Sequence, residues 1–175
     1  DPVSFGGSYM TRFERVDGEW KISAGLSNYD GPPAEGVPSA PALDSPEVPE
    51  DMTEGPLVTF AASYVEHFNM GHPAVVAAMY ADDAVAAFAD GPLLEGNAAI
   101  EAALTERADG VAQLAIHVIG ADDLGDGWHF GGGWYEVTDE DEQSQVGNWI
   151  GLVSTDEDGT HKFVWAISNM VHGEY

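Results

Sequence analysis

Cysteine is absent from this chain, which removes disulfides, thiolate nucleophiles and zinc–thiolate sites and leaves the compartment open. Basic side chains are almost as scarce: five Lys and Arg stand against 31 Asp and Glu, a formal charge of -26. A field of that sign repels nucleic acid and anionic membrane surfaces, so neither is expected as a partner. Long hydrophobic runs are missing too, none approaching the ~20 residues a membrane span requires. The chain also opens at Asp1 without a Met or a signal-like segment, which reads as a processed or truncated product.

What is present is enough for a core: 44% of the 175 residues are apolar and five are Trp, which suits one domain of ordinary size plus an extension. The acidic excess costs stability through self-repulsion, which salt relieves as the screening length falls to about 3 Å at 1 M. Halophilic adaptation is the simplest explanation. An acidic secreted or periplasmic protein, kept soluble by its carboxylates, is the alternative.

The first 29 residues predict a β-hairpin, with aromatic and polar residues alternating around Asp17-Gly18. The stretch from Gly147 to Asn169 follows the same plan: Gly7 matches Gly147, Tyr9 matches Trp149, Lys21 matches Lys162, and Ser27-Asn28 matches Ser168-Asn169. The offset is 140 before the turn and 141 after it. Such self-similarity predicts an internal repeat whose first copy retains only its last hairpin. Residues 30–56 hold seven of the ten prolines and seven carboxylates with no Lys or Arg, the composition of a solvated linker.

From residue 57 the pattern turns helical. Leu57, Ala61, Tyr64, Val65 and Phe68 share one face of a first helix that Gly71 stops, and Pro73 starts a second helix with Val76, Met79 and Tyr80 inward. A short strand is expected at 84–88. Asn97 then caps a third helix facing inward through Ile100, Ala103 and Leu104. Four strands are expected at 111–119, 128–137, 145–154 and 161–170, in one antiparallel meander.

This order, with the motifs YADDAV at Tyr80 to Val85 and EGNAAIEAAL at Glu95 to Leu104, resembles the SnoaL-like, ketosteroid-isomerase-like branch of the nuclear transport factor 2-like superfamily. The resemblance covers about Leu57 to Asn169. It implies an α+β, cone-shaped roll: three N-terminal helices packed in a curved antiparallel sheet over residues 57–175, preceded by the hairpin of 1–29. It implies a pocket at the open end of the cone for a hydrophobic small molecule, and a homodimer or tandem pseudo-dimer. The superfamily hosts isomerases, cyclases, hydrolases and non-catalytic association modules alike, so the fold leaves the chemistry open.

By that resemblance Tyr64 falls at the oxyanion-binding Tyr position, Phe88 where the isomerase base would stand, and Gly147 or Asn148 near the position of the neutral acid. Phe88 cannot accept a proton, which disfavours the isomerase mechanism unless Asp90 turns inward. His129 and His117 lie in successive strands, and His129 shares a face with Gly131, Gly133 and Tyr135, small enough to leave space beside it. Trp134 and Trp165 are candidates to line the pocket, though an ordinary core uses such rings as well. The candidate catalytic set is therefore Tyr64, Asp90 and His129, and the candidate ligand-binding set Phe88, His117, Trp134, Asn148 and Trp165. Asp122, Asp123 and Asp126, and again Asp156 and Asp158, lack a calcium-loop spacing, so no metal and no cofactor is expected.

Overall fold

The computed structural model describes residues 7–29, 48–49, 52 and 54–171; the expected linker falls almost wholly outside the described residues. The elements run β1 (Gly7–Val16), β2 (Glu19–Tyr29), α1 (Pro56–Asn69), α2 (Pro73–Ala78), β3 (Tyr80–Ala87), β4 (Leu93–Glu95), α3 (Asn97–Ala108), β5 (Val111–Gly125), β6 (Trp128–Asp139), β7 (Ser144–Thr155) and β8 (His161–Met170).

Proline opens α1 and α2, where a missing amide leaves no helical bond unmade, and Gly71 with φ 71° ends α1 in the left-handed conformation that a side chain resists. Of the α1 face read from the 3.6-residue period, Leu57, Ala61 and Tyr64 are buried and Val65 and Phe68 partly so, while Phe60, not read as inward, is buried as well. Asn69 fastens the end of α1 to the sheet, donating to the Leu114 carbonyl at 3.0 Å and accepting from the Leu114 amide at 2.8 Å.

The six-stranded sheet has the order β4-β3-β8-β7-β6-β5. The antiparallel meander from β5 to β8 is present, but β3 joins β8 in parallel, with Val85 opposite Trp165 and Ala87 opposite Ile167. The sheet is therefore mixed, because side-chain patterning reports which faces are buried and not the direction in which a distant strand arrives. Strand β3 also begins at Tyr80, four residues earlier than the apolar run suggests. An irregularity between Tyr80 and Val85 turns Asp82 and Asp83 out to solvent.

One further difference concerns a polar residue. Asn97 does not cap α3; Gly96 precedes the helix, and the Asn97 amide instead donates to the carbonyls of Ala77 at 2.6 Å and Tyr80 at 3.2 Å, tying α3 to the end of α2. The acidic turns are held by their own backbone: Asp123 accepts from the Gly125 amide, and Asp156 from the amides of Asp158 and Thr160.

One face of the sheet carries the helices. Along β6 this inner face holds His129, Gly131, Gly133 and Tyr135, and a side chain at Gly131 would collide with Leu57 of α1. The hairpin β1–β2 meets the opposite, outer face. Its turn at Asp17-Gly18 has positive φ at both residues, the type I′ geometry that matches strand twist. Asn28 is 3% exposed and is the hairpin's anchor: its amide donates to the carbonyls of Phe88 and Gly91, and its oxygen accepts from the Asp90 amide at 3.1 Å. Arg12 pairs with Asp122 and lies over the ring of Phe130.

Candidate functional site

Between α1, α3 and the inner face of the sheet lies a cavity of about 200 Å³. Its walls are apolar over most of their extent, from Ala61 and Phe68 of α1 to Leu114, Ile116 and Val137 of the strands. Five polar side chains reach it: Tyr64, Tyr80, Tyr135, Ser168 and Arg107. A space larger than the ~150 Å³ that holds benzene, yet smaller than the ~300 Å³ at which drug-sized pockets begin, fits a guest of one or two rings.

The tyrosines arrive from three elements. Tyr64 projects from the inner face of α1 and Tyr80 from the first residue of β3, with their hydroxyls 3.4 Å apart and their rings edge to face. Each phenol carries one proton, and the pair uses only one between its members, so the other can be donated to a guest. Tyr135 stands on β6, its ring over Gly147 of β7, where a side chain would occupy the ring's own space. Its hydroxyl donates to the Asn169 carbonyl at 3.0 Å.

Burial sets the protonation of these groups. It pushes Tyr64 up to about 12, against the opposing pull of the Tyr80 hydrogen bond and the Arg107 charge. Tyr135 also rises to about 12 by burial, with Ser168 and Arg107 opposing and Asp90 and Tyr64 adding to the rise. Tyr80 lies well above its ordinary value, first through burial and then through Tyr64. At neutral pH all three are hydrogen-bond donors, not phenolates.

Arg107, near the end of α3, donates to the Ala89 carbonyl and lies over the Phe88 ring, 5.5 Å from its centre. One bond occupies one of five guanidinium N–H groups, leaving the fork able to reach a guest's oxygen. Trp149 also lines the cavity, and its indole N–H is buried without a hydrogen-bond partner among the described residues. No Asp, Glu or His is among the described residues lining the cavity.

The residues singled out in the sequence are spread over both faces of the sheet. Tyr64 and Phe88 meet in the cavity, which Asp90 and His129 do not line. Asp90 occupies the turn gripped by Asn28, with φ 55°. His129 is on the inner face but at the other end of α1, beside Leu57, in a second pocket of about 260 Å³ that Asp122 and Asp123 also line. Its ring lies 5.6 Å from that of His161, itself lowered below 6.5 chiefly by burial and then by His129.

His117 stacks on Trp134 at 3.8 Å on the outer face, while Trp165 and Asn148 lie on that face too, the latter beside Asn169. Tyr80 opens the YADDAV motif and is expected inward, but neither it nor Tyr135, Arg107 or Ser168 is among the candidate site residues of the sequence. The signal available for Tyr135 was its strand parity with His129, Gly131 and Gly133.

The fold recurs among solved structures. Three similar ones are a ketosteroid isomerase-like protein from Erwinia carotovora atroseptica (17% identity, TM-score 0.58, covering 70% of this chain and 98% of that one), an NTF-2 like protein of unknown function from Shewanella oneidensis (14%, 0.57, 65% and 95%), and an NTF2-like protein with a cystatin-like fold from Novosphingobium aromaticivorans (15%, 0.52, 65% and 78%). No protein-family model and no curated protein sequence matches the chain.

Proposed function

Starting from a chain with the nuclear transport factor 2-like fold, we propose that it binds a small, mostly apolar molecule in the cone cavity and grips that molecule's one polar end. The observation that carries this reading is the cavity itself: about 200 Å³, apolar walls, and Tyr64, Tyr80 and Arg107 converging as donors. Apolar burial supplies the affinity, about 25 cal/mol per Å² of guest surface, and the donors select an oxygen-bearing guest such as a ketone, phenol or alcohol.

Proton abstraction is a weaker reading. A general base must lie within hydrogen-bond reach of the proton it takes, and neither a carboxylate nor an imidazole lines the cavity among the described residues. An enzyme working through Asp90 or His129 with Tyr64 would need those side chains to close on the Tyr64–Tyr80 pair.

A thermal-shift series tests the proposal with 2-naphthol, cyclohexenone and medium-chain alcohols as probes. A probe at about 100 times its Kd stabilises the fold by about 2.7 kcal/mol, a shift of several degrees in Tm. Ala61→Leu fills the cavity from α1 and should abolish that shift while leaving the fold intact. The proposal fails if no probe raises Tm, or if Ala61→Leu responds as the parent does.

A further inference from the structure

We propose that residues 7–29 are the closing hairpin of a second cone-shaped unit, and that their solvent-facing side is a docking surface for that unit's helical layer. The basis is strand register. In β1–β2, Gly7 pairs with Tyr29, Ser8 with Asn28, Tyr9 with Ser27, Met10 with Leu26, Thr11 with Gly25 and Arg12 with Ala24. The ladder then slips at Arg12/Phe13 and resumes with Phe13 opposite Ile22 and Arg15 opposite Trp20.

In β7–β8, Gly147 pairs with Met170, Asn148 with Asn169, Trp149 with Ser168, Ile150 with Ile167, Gly151 with Ala166 and Leu152 with Trp165. That ladder slips at Leu152/Val153 and resumes with Val153 opposite Phe163 and Thr155 opposite His161. Adding 140 to the first strand and 141 to the second converts every one of these pairs, and the slip, into the other. Two unrelated hairpins share a turn signal; they do not share a bulge at the same rung.

The correspondence assigns a role to each side of β1–β2. Tyr9, Phe13 and Ile22 occupy the places of Trp149, Val153 and Phe163, whose side faces α1, with Phe60 packed 4.9 Å from Phe163. In β1–β2 that same side is bare: Tyr9 is 78% exposed, Trp20 70% and Ile22 67%. Four large apolar side chains, Tyr9, Phe13, Trp20 and Ile22, sharing one exposed sheet face mark an interaction site more than a solvated edge.

The other side of the hairpin packs on the outer face of the main sheet, and it does so reciprocally. Strand β2 lies on β8, β2 reaches β7, and β1 reaches β8. A two-fold axis that exchanges β1 with β7 and β2 with β8 produces this pattern. The occupant that fits the bare face is therefore a layer of amphipathic helices like α1 to α3, completing a second cone across that axis. A second copy of this chain does not fit, because its helices are already covered by its own β7–β8.

The test joins residues 54–146 directly to Gly7, which rebuilds helices and strands upstream of β1 at the junction where Gly147 follows Val146. Oxidative labelling of Tyr9, Phe13 and Trp20 should fall by about an order of magnitude, as the difference between Ile22 at 67% exposure and Phe163 at 8% implies. Equal labelling in the extended chain would overturn the proposal. On the unaltered chain, light scattering should give a monomer with Tyr9 and Trp20 labelled readily. A dimer that hides them, and that Trp20→Ser disperses, would show the face to be a self-association surface and sink the proposal. Neither readout involves the cone cavity, so the two proposals stand or fall separately.

Discussion

Three tyrosines concentrate the chemistry of the cavity, and their protonation ties it to stability. For Tyr64, whose value rises from 10.0 to about 12, the folded state holds its proton where the unfolded chain has released it. Stability from this group is complete below pH 10 and drains away as pH rises through 12. Tyr64→Phe should therefore shrink the loss of unfolding free energy between pH 10 and 12 by roughly 2 kcal/mol, since each pKa unit is worth about 1.4 kcal/mol. Urea unfolding at intervals across that range measures it, and an unchanged slope would show that the Tyr64 hydroxyl is not buried. Tyr64 could be read from the sequence because helical periodicity places it inward. Arg107 could not, because a long cation near a helix end is ordinarily solvent-facing, and only the fold brings it beside Phe88 and Ala89.

At the scale of elements, the hairpin has one fully buried polar attachment among the described residues, Asn28. Asn28 bridges β2 to the turn after β3, satisfying two carbonyls and one amide in a site closed to water. Asn28→Ala removes a hydrogen-bond partner from each of those groups, of which the Phe88 carbonyl keeps its bond from the Gly91 amide, at a cost of roughly 1 to 3 kcal/mol for each buried polar group left without a partner. The loss should appear as faster amide exchange through β1 and β2 before any in β6 or β7. Uniform loss of protection would show instead that the hairpin and the cone unfold as one unit. The hairpin itself was legible in Asp17-Gly18 and its alternation. Its contact with the 88–91 turn was not, since nothing local to Asn28 names a partner 60 residues away.

Over the whole molecule the charge of -26 is the dominant global term. Among the described residues most carboxylates are exposed, on turns, strands and outer helix faces, while the cone interior is apolar and its polar groups are neutral or cationic. Raising salt from 0.1 M to 1 M contracts the screening length from about 10 Å to about 3 Å and should raise Tm, with most of the gain in that interval. A Tm that is flat or falling with sodium chloride would leave the acidic surface to solubility alone.

By itself the sequence determined that three helices precede the meander, most of the face that α1 and α3 bury, and that two hairpins share one plan. Those are properties of residues within a few positions of one another, or of a repeat that copies its spacing. Only the tertiary structure decided that β3 runs parallel to β8, that Asn97 holds α2 instead of capping α3, and that Tyr64, Tyr80, Tyr135 and Arg107 surround one space. Each joins segments far apart in the chain, and such meetings are set by how faces pack together, for which no short pattern carries a signal.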